Sequence, residues 1–438
     1  MTAGKNENIY DVIIVGAGAA GLMCAASPAW KAEESQEHLC TGAGRLMLEA
    51  TGRAGVKLLM SGGGHCNITH EGKMRDLLGA YEEAGKKLRA PLYRHGNQEL
   101  MAFLEEAGVP LFADETGRVL PQSMKAQDVL DVFLQAAVDN GFEIRYGQRV
   151  ESIAEVDADA ADRAGRLYEV RTAANTYRTH ALVIAAGGCS YPSTGSNGQM
   201  FDVLRRDLGI EITELSPGLV PILPEEYPYE ELAGITLPHV RISIHKEGAK
   251  SVHREGALLF THRAFSGPCA LDLSSHAAGG SRIALNYIYP TTFDDAYAAI
   301  RAQGLRTGKA VAAAFAVPRR LAALLTARAA DSPKRLAHLL TEDTFTVAGT
   351  EGFRTAMVTK GGVPLRLIDP SAMVLKDHPG LYVIGEVLDA DGISGGYNLQ
   401  LCWSTAQTAA HAAAHAAVEA AHIAVEAAAA AQDAPQPE

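Results

Sequence analysis

An α/β fold, built from both ends of the chain around an inserted β-rich α+β domain, is predicted by three observations. The first is the stretch 10–21, Tyr-Asp-Val-Ile-Ile-Val-Gly-Ala-Gly-Ala-Ala-Gly, where an apolar run ends in glycines and turns helical. The second is the stretch 380–398, where a short apolar strand closes on Gly385-Glu386 and a glycine-rich helix start follows. The third is a change of character from about residue 215 to 345, where Pro217, Pro221, Pro224, Pro228 and Pro238 punctuate short strands.

Length and composition set the frame. At 438 residues the chain exceeds one typical domain. Apolar residues make up 47% and charged residues 21%, as in ordinary soluble globular proteins. The net charge of -12 argues against nucleic acid as the main partner. No apolar run reaches membrane-spanning length, and no secretory leader pattern precedes the first strand. Cysteines 24, 40, 66, 189, 269 and 402 are scattered without a CxxC, as expected of reduced thiols in a cytoplasmic protein.

The elements follow in chain order. After the first strand, Gly16 permits a tight turn, Gly18 lets backbone approach a pyrophosphate, and Gly21 lets helix pack on strand. Ala19 and Ala20 open the helix, whose free N–H groups and dipole attract phosphates. This is a dinucleotide site. A polar segment at 28–44 reads as a loop insertion. Then Arg45 to Glu49 reads as a second strand, whose terminal acid suits the ribose of an adenosine. A solvated loop acid is the alternative for Glu49.

Residues 61–70 hold three consecutive glycines, Gly62, Gly63 and Gly64, before Asn67. Such a backbone passes close to something or takes positive φ, and the cofactor is the expected neighbour. Lys57 and Ser61 are assigned to the cofactor with it. Helices are expected within about 71–141, and strands at 142–146, 149–156, 167–172 and 176–184. The last strand runs into Ala186, Gly187 and Gly188, at the strand end that faces the ligand crevice of a doubly wound sheet. A helix over 198–208 follows. The insert carries strands near 219–223, 239–245 and 257–260 and helices over 293–303 and 318–340. The C-terminal helix starts at 394–398, becomes alanine-rich, and frays from 432 onward.

Several chemistries are set aside. Ser274, Ser275 and His276 lack the G-x-S-x-G elbow of a hydrolase. His411 and His415 share a helical face but have no third ligand, so no metal site is expected. Cys66 and Cys189 lack the paired thiol of a redox disulfide. The two glycine-rich ends instead suit one extended cofactor. N–H groups at 395–398 suit negative charge developing on a flavin ring.

Six stretches carry a specific resemblance: YDVIIVGAGAAG (10–21), KLLMSGGGHCNIT (57–69), AAGGCSYPSTGSNG (185–198), LLFTHRAFSGP (258–268), VTKGGV (358–363) and GLYVIGEVLDADGISGGYNLQLCWS (380–404). The chain resembles the aminoacetone-oxidase/BaiN-like family of NAD(P)/FAD-dependent flavoproteins. The resemblance implies a Rossmann-like FAD-binding domain of the GR2 type at 1–195 and 346–438, with the insert at 196–345. It assigns Gly16, Gly18 and Gly21 to the pyrophosphate and Glu49 to the ribose. It assigns Gly62, Gly63, Gly64 and Asn67 to the glycine loop, and Gly385, Glu386, Asp389, Gly395, Gly396 and Asn398 to the C-terminal flavin motif. His65 stands where family members more often carry Arg.

The expected activity is an FAD-dependent oxidoreductase. One branch reduces a conjugated C=C bond in a hydrophobic, steroid- or bile-acid-like metabolite, with NADH or NADPH as a transient reductant. The other is an aminoacetone-type amine oxidase using O₂. A flavin-bound RNA-modifying or RNA-binding protein, and a non-catalytic flavoprotein, stand as readings from other classes. Tyr191, His262 and Tyr397 are the candidate general acids, each with a structural role as the alternative. The partner is expected to be a small molecule bound between the two domains.

Overall fold

The computed structural model describes residues 9–32, 44–157, 166–245 and 251–432, with side chains placed as far as residue 417. Most of the expected 28–44 insertion and the fraying tail beyond 432 lie outside the described residues. The chain forms two units, residues 1–215 with 358–438, and residues 216–357.

The first unit is organised by a parallel sheet. Its strands run in the order Phe142–Arg145, Arg45–Leu48, Ile9–Val15, Thr176–Ile184 and His378–Val383. Ile9–Val15 is central, and Val12, Ile13 and Ile14 are wholly buried. A parallel strand covered on both faces needs such a continuous apolar run rather than alternation. The C-terminal strand joins the edge of Thr176–Ile184, through Leu381 beside Leu182 and Val383 beside Ile184. The start of the same edge carries an antiparallel meander, Val150–Asp157 and Arg166–Thr172. Both chain ends therefore build one sheet, as the sequence predicts.

The helix Ala19–Ala25 and the long helix Tyr397–Gln432 pack together beside this sheet. The long helix buries Ala406, Ala409, Ala410 and Ala413, small enough for close approach. Three of its buried polar residues bond to other segments of the chain. Gln407 donates to the Met23 carbonyl at 2.9 Å, Ser404 donates to the His95 carbonyl at 2.6 Å, and Thr405 accepts the Gly385 N–H at 3.1 Å. His411 stacks on His95. No described helix is long and apolar enough to cross a membrane.

The second unit is a closed six-stranded barrel with helices. Its strands run in the order Ile222–Pro224, Phe265–Ser266, Val252–Phe260, Thr236–His245, Arg282–Asn286 and Asp343–Thr350. Tyr229, Phe260, Phe265, Tyr287 and Phe345 fill part of its core. A charged group enters this apolar interior. The Asp343 carboxylate accepts from Tyr229, from Tyr287 at 2.9 Å, and from both arms of Arg328 at 2.8 and 2.9 Å. Arg328 lies on the helix Arg319–Ala329, so the network staples that helix to the barrel.

The expected boundaries shift. Residues 196–215 belong to the first unit, because the helix Gln199–Leu208 packs on Val150–Asp157. Residues 346–357 belong to the second, because Asp343–Thr350 completes the barrel. The helical segment 71–141 also contains a small antiparallel sheet of Thr69–His70, Arg118–Pro121 and Leu111–Ala113, turned at Gly117. The expected helix 318–340 breaks where Ala330 and Asp331 take positive φ before Pro333. An additional helix, Gly308–Phe315, precedes it.

Asp343→Asn leaves Arg328 without its counter-charge and should cost about 3 kcal/mol, the scale for breaking a buried pair. Urea unfolding of the variant against the parent measures it.

Candidate functional site

The carboxyl ends of four parallel strands bring the glycine segments together. At Gly16, φ is +104°, and an added Cβ would lie 2.5 Å from the Ala185 carbonyl oxygen. At Gly21 an added Cβ would lie 1.9 Å from the Gly16 oxygen. Both positions therefore exclude a side chain, and the helix sits hard against the strand turn. Gly18 differs: an added Cβ would meet nothing within 4 Å. Gly18 caps the helix Ala19–Ala25 in extended conformation with no side-chain hydrogen bond. Open space over the first-turn N–H groups of Ala19 and Ala20 is what a pyrophosphate requires. The residues present fit a dinucleotide.

Glu49 ends its strand beside this loop. Its Oε2 accepts the Ala17 N–H at 2.8 Å, and its Oε1 accepts the Thr51 N–H at 2.8 Å and hydroxyl at 2.7 Å. The carboxylate thus braces the loop that would receive the ribose and pyrophosphate. Gly195 approaches the same corner, where an added Cβ would lie 2.8 Å from the Thr51 methyl carbon.

A polar cluster occupies the next position along the strand ends. Glu386 accepts Lys57 Nζ at 2.5 Å, the Ser190 hydroxyl at 2.6 Å and the Thr359 N–H at 2.7 Å. Lys57 also donates to Ser190 Oγ. Thr359 Oγ1 accepts the N–H groups of Cys189 at 2.6 Å and Ser190 at 3.1 Å. Gly188 makes room for all of this, since an added Cβ would lie 2.3 Å from Thr359 Oγ1 and 3.0 Å from Glu386 Oε1. Gly187 takes φ +72° beside Ser196. Gly385 takes φ +64°, and an added Cβ would meet the Ala20 side chain at 2.6 Å, which sets this turn against the first helix. Ser190 and Thr359 fall inside the stretches that carry the family resemblance, but nothing in their residue type singled them out.

The glycine loop 61–70 meets the start of the C-terminal helix. Gly62, Gly63 and Gly64 all take positive φ, as does Cys66. Ser61 donates back to the Leu58 carbonyl at 2.7 Å and starts the turn. Asn67, with its amide turned to satisfy both ends, donates to the Thr69 carbonyl at 3.2 Å and accepts the Gly396 N–H at 3.1 Å. Gly396 lies so close that an added Cβ would be 2.5 Å from the Thr69 carbonyl oxygen. Gly395 is pressed by the Tyr397 ring. Asn398 closes its own loop, accepting the Gly392 N–H and donating to the Gly392 carbonyl, both at 2.9 Å. Asp389 is half-buried, and its N–H donates to the Val363 carbonyl. Ala186 is half-buried at the end of its strand.

The three candidate acids separate. Tyr397 is buried, its ring stacked on His70 at 5.1 Å and met edge-on by Tyr81. Tyr191 follows Ser190 directly and takes φ +49°, a strained backbone for a tyrosine. His262 lies in the second unit, exposed on a turn. A fourth group emerges from the fold. Burial pushes the Asp391 carboxyl up to about 6; the negative charges of Glu82, Asp389 and Glu386 add to this and Lys360 opposes it. Its place within the C-terminal motif was visible in the sequence, but its desolvation was not. The thiols are not activated. Burial, with Glu386 adding, raises Cys189, and burial raises Cys66 to about 11 and Cys402 to about 12.

Comparison with known proteins places this arrangement. The model of the HI0933-like protein Rossmann domain matches residues 10–412. The chain belongs to the HI0933-like family. Among curated relatives of this HI0933-like protein, a ribosomal RNA dihydrouridine synthase of Escherichia coli (strain K12) is 31% identical over 424 residues, covering 92% of this chain and 97% of that one. A 3-dehydro-bile acid delta(4,6)-reductase of Clostridium scindens is 25% identical over 423 residues, covering 92% and 98%. Among solved structures, the 3-ketosteroid delta1-dehydrogenase of Sterolibacterium denitrificans aligns with a TM-score of 0.50 at 14% identity, covering 93% of this chain and all of that one, a likeness of fold. Family, fold and site together make the HI0933-like chain an FAD-dependent oxidoreductase.

Two outcomes follow. Gly188→Ala should displace Thr359 and loosen the Glu386 cluster, at about 1–3 kcal/mol in stability, and lower the flavin-to-protein absorbance ratio of the purified variant. Asp391 carries a raised carboxyl, so between about pH 4 and pH 6 the folded state holds a proton that the unfolded chain has released. Stability should therefore fall as pH rises through that window, and Asp391→Asn should flatten the slope in urea midpoints taken across it.

Proposed function

We propose that this protein reduces the C5=C6 bond of a uridine in ribosomal RNA. The single observation that carries the reading is the 31% identity to a ribosomal RNA dihydrouridine synthase along nearly the whole of both chains. The chemistry agrees with the branch expected from the sequence, because the uracil bond is conjugated to the C4 carbonyl like the C=C of an enone. The bound flavin would supply the hydride, and NADH or NADPH the reducing equivalents.

The chain itself has three tasks. The open glycine cradle at 16–21 would hold the pyrophosphate, and Glu49 would brace the adenosine end. Lys57, Ser190 and Glu386 would hold the ring end, with the start of the helix Tyr397–Gln432 placed to favour negative charge there. A proton must reach C5 as hydride reaches C6. Asp391, with a carboxyl near 6, and Tyr191, on strained backbone beside the cluster, are the groups we assign to that role. Asp391 is the better matched, since a donor works best when its pKa lies near the operating pH.

A second reading rests on the bile-acid reductase at 25% identity, whose name implies the same kind of bond in a steroid. One assay separates them. The FAD-loaded protein is incubated anaerobically with NADPH and either ribosomal RNA or a 3-keto-4-ene steroid, and separately, without NADPH, with aminoacetone under air. A gain of 2 Da on a uridine is expected. Steroid reduction without it moves the assignment to the second reading, and oxygen uptake with aminoacetone moves it to the amine-oxidase branch. Asp391→Asn should lower the uridine rate about 10²-fold while leaving flavin reduction by NADPH intact.

A further inference from the structure

The chain as a whole is acidic, yet one part of the second unit is strongly basic. Residues 301–341 hold eight Lys and Arg against one acid, a net of +7 in a chain totalling -12, which leaves -19 for everything else. Arg328 is used internally, on Asp343. The other seven, Arg301, Arg306, Lys309, Arg319, Arg320, Lys334 and Arg335, are all exposed. Among the described residues, none of these seven forms an ion pair.

Their placement opposes local stability. Lys309 lies in the first turn of Gly308–Phe315, Arg319 and Arg320 in that of Arg319–Ala329, and Lys334 and Arg335 in that of Pro333–Thr341. None of these first turns carries an acid, whereas the neighbouring helix Phe293–Gln303 carries Asp294 and Asp295 there. Cations at a helix N-terminus are repelled by the helix dipole, so five of the seven destabilise their own helices. The residues between them in the sequence include the exposed Ala313, Ala314, Ala323, Ala327 and Ala330, while Leu321, Leu325, Leu336 and Leu340 are buried. Arg319 and Arg320 open the helix Arg319–Ala329, and Lys334 and Arg335 open the helix Pro333–Thr341 that follows it.

We propose that these helices of the insert form a docking surface for the phosphate backbone of ribosomal RNA, an inference that rests on the uridine reading above. Exposed cations distributed over three successive helices, with small exposed residues among them, suit a repeating polyanion more than one phosphate group. An anionic membrane is disfavoured, because the surface offers no large exposed apolar side chain to insert.

The test uses the full FAD-loaded chain with the combined substitutions Arg319→Glu, Arg320→Glu, Lys334→Glu and Arg335→Glu. These place acids where the helix dipoles favour them, so the melting temperature should hold or rise and misfolding is not the expected outcome. Binding to protein-free ribosomal RNA and to phosphatidylglycerol vesicles is measured from 50 to 300 mM salt, beside a control with Lys86→Glu and Lys87→Glu on the first unit. The fourfold variant should lose at least about tenfold in affinity at low salt, and its dependence of log K on log salt should flatten by roughly three. The control should retain both. Unchanged affinity and slope in the fourfold variant overturn the surface while leaving uridine reduction to its own assay. RNA binding that fails in the parent protein overturns it as well, as does a loss confined to phosphatidylglycerol vesicles. Loss of RNA binding in the variant, with no dihydrouridine made by the parent, upholds the surface and removes the activity reading.

Discussion

The Glu386 carboxylate is the contact on which the first unit's site depends. It receives Lys57, Ser190 and the backbone of Thr359, residues from three separate segments of the chain. Lys57 comes from the helix Val56–Met60, Ser190 from the loop beyond Thr176–Ile184, and Thr359 from the strand Val358–Lys360. Lys57 and Glu386 are largely withdrawn from water, so neither is comfortable without the other. The network also dictates the glycine at 188, because any side chain there would stand in the space of Thr359. Charge pairing and backbone shape at this point are one constraint.

A second constraint is close packing at the first helix. Gly16 and Gly21 allow the helix to meet the strand turn without a Cβ between them, and Gly385 presses its turn against Ala20. The long C-terminal helix then covers this region with alanines. It hydrogen-bonds the Met23 carbonyl and the Gly385 N–H through polar side chains that would be costly to bury unpaired. Two segments nearly 400 residues apart thus share one cradle. The arrangement leaves Gly18 open while its neighbours are closed, which gives the site its direction.

The insert solves a different problem. Its barrel admits one carboxylate, Asp343, and satisfies it completely with Arg328 and two tyrosines. The remaining cations of the same helices turn outward. A net charge summed over the chain hides this division, because the acids are spread over the rest of the sequence while the basic residues gather in one set of helices. Composition averages over surfaces that a partner meets one at a time.

The nucleotide cradle was legible in the sequence because its parts are local: a β-rich run, glycines at set spacing and a helix start lie within twelve residues. The pairing of the two chain ends was legible too, since each ends a strand in the same chemistry. Other features were decided only by tertiary structure. Ser190, Thr359 and Asp391 have ordinary residue types, and their roles arise from segments that meet across more than 130 residues or from loss of water around a carboxyl. The unit boundaries moved by up to 20 residues because a helix and a strand follow their packing partners, not the change in composition. Asn67 and Gly396 illustrate the same division. Local sequence specifies that each turn needs small residues and positive φ, but their contact depends on where two distant turns are carried by the sheet.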